Sequence, residues 1–378
     1  MRIEIRPSLF LLNDTAKPFS FVKGLQLLAA IEKVGNLQAA SKALSISYRH
    51  AWNALAEMEA LLGSAVVEMT RGRGSELTPL GKQLVAAERL IHARVGPLLD
   101  SMASEIEAEI QSAISFVRNV LKIYASHGFA IEALNKHLQK KNIPLDLSYR
   151  GSLEAMSSFS RGYCDIAGFH VPIGAFEVPV FRHFEPLFKP SHQLINLATR
   201  RQGIMVAKGN PKKIWSIEDL LRSDVQFVNR QQGSGTRLIL DLLLQQEGKT
   251  GSDINGFENI ELTHAAVAAY ILCGKADAGL GVETAARQFD LDFVPLLTER
   301  YFLICDKKML VDLRFKPILE LLNASEFRAA VNNLPGYDAN QTGTVMTLRE
   351  AFPNVFISHG NTAAQRKKGK AKIAHEKT

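Results

Sequence analysis

The sequence predicts two differently built halves: a mainly helical N-terminal domain leading into one long helix, then a two-lobed α/β domain. Three observations predict this. Apolar residues recur at three- and four-residue spacing through residues 19–117. From about residue 119 short apolar runs alternate with amphipathic stretches, the texture of strand–helix–strand units. Two later segments, each with Gly followed by Asp and a small-residue run, echo one another at 161–168 and 273–279. The expected boundaries are 1–79 for the helical domain, 80–118 for the long helix, 119–325 for the two lobes, 326–364 for a C-terminal extension and 365–378 for a basic disordered tail.

Residues 2–12 alternate like a strand, placed beside a wing or at a dimer edge. Residues 19–34 form a first helix, ended by Gly35-Asn36. A short helix at 37–44 and the turn Ser45-Ile46-Ser47 lead into a helix at 48–62, with Ser47 as its cap. Ala51, Ala54, Leu55, Met58 and Leu62 make the buried stripe of that helix, which leaves Arg49 and Asn53 on the opposite face. A donor fork and an amide on one exposed face suit the major groove, where Arg pairs with guanine and Asn with adenine. Strands at 66–69 and 76–78 flank the basic tip Arg71-Gly72-Arg73-Gly74, which suits a phosphate backbone or minor groove. The set expected to face a double-stranded DNA operator is Ser47, Tyr48, Arg49, His50, Asn53, Arg71 and Arg73.

After Thr78-Pro79 the apolar positions Leu80, Leu84, Ala87, Ile91, Val95, Leu98, Leu99, Met102, Ile106 and Ile110 run close to heptad spacing, with a kink expected at Gly96-Pro97. Such a seam predicts a homodimer, or a tetramer, through this linker helix. The wording Ser47-Tyr48-Arg49-His50-Ala51-Trp52, then Arg71-Gly72-Arg73-Gly74 and Leu77-Thr78-Pro79-Leu80-Gly81, resembles the DNA-binding domain of the ModE family of molybdate-responsive regulators over the first third of the chain. LysR-type regulators share a similar helix-turn-helix and are the looser match.

In the second half, strands are expected at 120–125, 145–149, 165–169, 193–207, 226–229, 260–262 and 276–280. Helices are expected at 129–139, 153–161, 237–247 and 265–273, so the units imply parallel sheets. Ligands of such sheets sit where strands run into helices. Four such junctions carry hydroxyls, glycine or imidazole: Ser126-His127-Gly128, Gly151-Ser152, Gly233-Ser234-Gly235-Thr236 followed by Arg237, and Thr263-His264. Hydroxyls and helix-terminal amides together suit an anion. The stretches NRQQGSGTR at 229–237 and THAAVAAYILCGKADAGLG at 263–281, with Tyr301, resemble a periplasmic-binding-protein-like domain. The junctions and that resemblance together give an expected ligand set of Ser126, His127, Gly151, Ser152, Gly233, Ser234, Gly235, Thr236, Arg237, Thr263 and Tyr301, and the resemblance points to the kind of anion. It suggests molybdate or tungstate, fully ionised oxyanions that need donors and no acceptor. ModE regulators usually carry small β-barrel oxyanion domains, and an α/β module stands in that place here. Molybdenum cofactor or another small organic anion is therefore the alternative effector.

Charge alone decides little. Of the net +7, the segment 365–378 supplies +5, with six Lys or Arg against one Glu, and residues 1–115 hold twelve of each sign. No apolar run approaches the ~20 residues of a membrane span, and the acidic start argues against a signal peptide. Cys164, Cys273 and Cys305 are widely spaced, as expected of reduced cytoplasmic thiols, with no metal or covalent cofactor implied. No GxSxG, P-loop or zinc pattern supports an enzyme acting on a phosphorylated or acyl substrate through Ser234, Thr236 or His264. The expectation is a cytoplasmic, non-enzymatic, anion-responsive transcription regulator.

Overall fold

The computed structural model describes residues 3–11, 19–70, 74–114 and 120–356. The expected tip residues Arg71 and Arg73 and the basic tail lie outside the described residues. The strand expected at 2–12 reduces to β1 (Phe10–Leu11), which pairs antiparallel with β2 (Phe19–Ser20) rather than with the wing. β2 leads directly into α1 (Phe21–Val34), so this pairing anchors the N-terminal segment on the first helix.

α1, α2 (Leu37–Ala43) and α3 (Tyr48–Leu62) enclose a core of Leu27, Leu28, Ile31, Ala40, Ala51, Leu55 and Met58. Side-chain caps fix two helix starts: Asn36 Oδ1 accepts from Ala39 N at 2.6 Å, and Ser47 Oγ accepts from His50 N at 3.1 Å. The wing is β3 (Val67–Thr70) against β4 (Gly74–Leu77). Glu59 on α3 holds it, accepting from Val66 N at 2.8 Å and Val67 N at 3.2 Å. The Thr-Pro-Leu-Gly run has a mechanical reading. Thr78 Oγ1 donates to Ala65 O and accepts from Gly81 N, while a Cβ on Gly81 would lie 2.2 Å from Val66 O. Only glycine lets the long helix α4 (Pro79–Ile114) leave the wing this closely.

The second half is one mixed sheet, not two parallel ones. Lobe I contributes β5 (Leu121–Ala125), α5 (Phe129–Lys140), β6 (Leu145–Tyr149), α6 (Ser152–Ser160), β7 (Ile166–Pro172) and α7 (Glu177–Phe184). The long strand β8 (His192–Val206) then crosses to lobe II, which holds β9 (Phe227–Arg230), α8 (Gly235–Gln246), β10 (Ile260–Glu261), α9 (His264–Leu272), β11 (Ala278–Val282) and α10 (Glu283–Gln288). A second long strand, β12 (Asp292–Asp306), crosses back to α11 (Lys316–Asn323), α12 (Ser325–Asn332), β13 (Tyr337–Asp338), β14 (Val345–Thr347) and α13 (Leu348–Ala351). The strand order is β10-β9-β11-β8-β12-β7-β5-β6, with β8 and β12 antiparallel to each other and to β11 and β7 respectively. β12 escapes a reading by alternation because Pro295 and the charged Glu299-Arg300 pair interrupt its apolar pattern.

The sequence echo is a structural repeat. Asp165 brackets the start of β5, accepting from Lys122 N at 2.9 Å and donating its own N–H to Lys122 O. Asp277 does the same to Gln226 beside β9, at 2.8 Å and 2.7 Å. Each Asp therefore fastens neighbouring parallel strands at their N-terminal ends, away from the loops expected to hold a ligand.

Candidate functional site

Two surfaces follow from this scaffold. On α3, Ser47, Tyr48, Arg49, His50, Trp52 and Asn53 are all exposed, while Ala51, Leu55 and Met58 are buried. The Tyr48 and Trp52 rings stack with centroids 6.5 Å apart. One face of the second helix of the pair is thus free along two turns, the arrangement that enters a major groove. Trp52, at i+4 from Tyr48, belongs to that face but was missing from the set read by base-pairing chemistry, because an indole has no bidentate partner in a groove.

The second surface lies between the lobes, at the carboxyl ends of the parallel strands. Ser126 follows β5, Ser152 opens α6, and their hydroxyls meet at 2.8 Å. Tyr301 on β12 donates to Ser126 O at 3.1 Å and stacks on His170 of β7, ring centroids 3.8 Å apart. From lobe II, Ser234 caps α8 by accepting from Arg237 N, so the helix begins at Gly235, two residues earlier than expected. The loops of the two lobes are apposed. A Cβ on Gly151 would stand 3.2 Å from Gly233 O, and one on Gly235 would stand 3.9 Å from Ser152 Oγ. Gly233 has φ +81°, a left-handed conformation that turns the loop toward lobe I.

Two expected ligand residues are committed elsewhere. Arg237 lies on the surface of its own helix, with Nε 3.0 Å from Asp241 Oδ1 and its guanidinium 3.9 Å from the Phe257 ring centroid. Thr263 caps α9 and donates to Ala93 O of α4 at 3.0 Å. His127 packs edge-on against Tyr149, and burial lowers its pKa to about 4.

The strongest groups at this junction are cations that the loop reading missed. Arg200 on β8 faces Glu299 on β12, Nε to Oε2 at 2.9 Å, both fully buried. Arg230, the last residue of β9, is 6% exposed. Its Nε donates to Gln231 Oε1 at 3.2 Å and its Nη2 to Leu262 O at 2.9 Å, yet among the described residues no carboxylate pairs with it and Nη1 has no partner. Burial, and then repulsion from Arg200, lowers its pKa to about 9. His170 and His264 are also pushed well below their usual value, by burial first and then by these two arginines, so both are neutral. His170 Nε2 and His264 Nδ1 lack partners among the described residues. An uncompensated buried charge costs roughly 3–5 kcal/mol. The junction therefore carries two buried guanidiniums against one carboxylate, Glu299, which bonds Arg200 and offsets Arg230 only in part. A sequence signal for Arg230 did exist, in its place at a strand end just before Gln-Gln-Gly-Ser-Gly-Thr. Without the sheet order, nothing distinguished it from a solvated surface arginine.

A PBP superfamily domain model matches residues 131–323. The chain belongs to the PBP superfamily. A second model, for the bacterial regulatory helix-turn-helix proteins of the lysR family, matches residues 22–82. This PBP-superfamily chain accordingly joins a LysR-like DNA-binding helix-turn-helix to an effector domain, the layout of a transcriptional regulator. It is 33% identical over 249 residues to the uncharacterized protein YvgK of Bacillus subtilis (strain 168), covering 65% of this chain and 79% of that one. It is also 33% identical over 86 residues to the molybdenum transport protein ModE of Azotobacter vinelandii, covering 22% of this chain and 32% of that one. Among solved structures it is similar to CbnR, a LysR family transcriptional regulator, at 15% identity and a TM-score of 0.37, covering 82% and 98% of the two chains. No helix among the described residues is long and apolar enough to cross a membrane, and no cluster of His, Cys, Asp or Glu there fits a metal ion.

Proposed function

We propose that the protein is a cytoplasmic regulator whose operator binding responds to a small anion held between the lobes, with molybdate or tungstate the leading candidates. The observation that carries this reading is Arg230, a buried guanidinium without a carboxylate. Around it the chain offers donors: the Ser126 and Ser152 hydroxyls, the amides opening α8, and neutral imidazoles. A fully ionised tetrahedral oxyanion uses such a set completely.

One observation favours the alternative. Glu299 Oε1 and Gln202 Oε1 are buried acceptors without partners among the described residues. Either would suit a ligand carrying an O–H or N–H, such as hydrogen phosphate or a hydroxy- or amino-substituted carboxylate.

On DNA, Arg49 and Asn53 read bases. Two copies associate through the exposed stripe Leu98, Met102 and Ile106 on α4, since Leu84 and Val85 are turned toward the helix-turn-helix core. The test is a selected operator bound by the full chain, with and without molybdate, tungstate, phosphate and small hydroxy acids. One anion should change operator affinity about fivefold or more. Arg49→Ala and Asn53→Ala should each weaken specific binding by about 1–3 kcal/mol while leaving anion binding alone. If no anion alters operator affinity, the sensing reading fails.

A further inference from the structure

The two long strands carry different chemistry on their two faces. Register pairs Arg200 with Glu299 and Ala198 with Tyr301, so alternation sets these residues on the face that meets the junction. Thr199 opposite Arg300, and Asn196 opposite Phe302, fall on the other face, where Phe302 packs with Val180 of α7 and Ala351 of α13. On that face a cavity of about 530 Å³ opens between the start of α7 and the C-terminal segment. Its volume is that of a small-molecule site, and it shares no lining residue with the junction.

Asn196 is the group that packing alone does not explain. It is fully buried and lines this cavity, and neither its Oδ1 nor its Nδ2 has a partner among the described residues. Buried amides are ordinarily paired. Arg300 lines the same cavity and is committed through two of its three nitrogens. Its Nη1 donates to Ala351 O at 2.7 Å and its Nη2 pairs with the buried Glu177, while Nε has no partner among the described residues. The exposed carboxylates of Asp338 and Glu350 stand on the same lining. Asp338 accepts from Asn340 N at 2.6 Å and Glu350 from Thr347 N at 2.7 Å, and among the described residues no cation pairs with either. With Glu177, three carboxylates face one guanidinium, an excess of two negative charges.

That balance refuses an anion. A bare cation or a simple alkylammonium would meet the carboxylates but leave Asn196 Nδ2 and Arg300 Nε without an acceptor. A hydroxyl supplies both halves, since it accepts from those N–H groups and donates to Asn196 Oδ1. Ile173, exposed on the rim, and Pro353 give an apolar edge against which the C–H face of a ring can lie. We propose that this cavity binds a small aminopolyol of hexosamine size, its ammonium between Asp338 and Glu350 and its hydroxyls on Asn196 and Arg300. The site shares no residue with the anion-sensing reading and stands whether or not that reading holds.

Calorimetry on the full chain tests this with glucosamine, galactosamine and the open-chain glucamine, against glucose and N-acetylglucosamine, which lack the ammonium. At least one of the three amines should bind, and its two neutral counterparts should bind at least about tenfold more weakly. Asp338→Asn with Glu350→Gln, two exposed changes that keep the local hydrogen bonds, should weaken the amine by about tenfold or more. Asn196→Ala should do the same without lowering the melting temperature, because it removes a buried amide that has no partner. If Asn196→Ala fails to fold, the carboxylate pair still decides. Arg230→Gln should leave the amine's affinity within about threefold, and a larger fall there would place the ligand at the lobe junction and overturn the assignment. No binding of any of the three amines up to about 10 mM, equal binding of glucose, or an unchanged affinity in the Asp338 and Glu350 variant each overturns the proposal.

Discussion

The two lobes share one plan and divide the labour at the junction unequally. In each, an Asp after an αL glycine fastens parallel strands at their starts, and a long antiparallel strand crosses to the other lobe. At the opposite ends of the strands they differ. Lobe I brings hydroxyls, Ser126 and Ser152, which are neutral and share one hydrogen bond at 2.8 Å, leaving one O–H to donate. Lobe II brings Arg230, which is charged and not neutralised. A neutral hydroxyl pair tolerates an empty junction better than a buried cation does. The lobes also hold α4 differently: lobe I by hydroxyl contacts to a strand edge, lobe II by an ion pair with the buried Glu261.

Removing the charge should break this asymmetry most. Arg230→Gln should lower anion affinity by about 100-fold or more, the equivalent of roughly 3 kcal/mol. It should also leave the ligand-free protein as stable or more stable, since the cost of an unpaired buried cation disappears. Calorimetry together with thermal melting reads both signs, and a large loss of ligand-free stability would show Arg230 to be structural. On the other side, Ser152→Ala removes one hydrogen bond to a charged ligand, so affinity should fall by about 1.5 kcal/mol, roughly tenfold, with little change in melting temperature. An effect as large as that of Arg230→Gln would mean that the lobes contribute equally.

A pH series sharpens the comparison further. His127 and His170 on lobe I and His264 on lobe II all have pKa values lowered by burial, His127 to about 4. Each stays neutral in the folded state while its unfolded counterpart takes up a proton below about pH 6.5. Stability is therefore full above that value and falls as pH drops from about 6.5 toward 4, by up to about 1.4 kcal/mol per pH unit for each histidine. His264→Asn should flatten that slope by about one proton in denaturant melts across this range, and an unchanged slope would show that His264 titrates in water. The smallest effect is expected at Arg237→Ala, because its guanidinium pairs with Asp241 on the helix surface. A loss of anion binding there comparable to Ser152→Ala would return Arg237 to the site.

What was legible in the sequence follows from range. The helix-turn-helix was readable because its caps, stripe and turns are local: Asn36, Ser47, Gly35 and Gly63 act within four residues of themselves. The lobes were readable for the same reason wherever a strand runs directly into its helix, and the serine junctions came with them. β12, Glu299, Arg200 and Arg230 were not. Their meaning arises from register across the sheet, Glu299 opposite Arg200 and Tyr301 opposite His170, between residues separated by about a hundred positions or more. Thr263 illustrates the same limit, since its hydroxyl looked free until Pro97, far earlier in the chain, left Ala93 O without its helical partner.

The central claim is that an anion completes the junction between Arg230 and the serine loops. Crystals of the full chain grown with tungstate and measured for anomalous scattering test it most directly, because tungsten marks its own position. The expected result is a single strong peak within hydrogen-bond reach of Arg230 Nη1, the Ser152 hydroxyl and the amides opening α8. A peak elsewhere, or none at a concentration that shifts operator binding, would contradict the assignment of this junction.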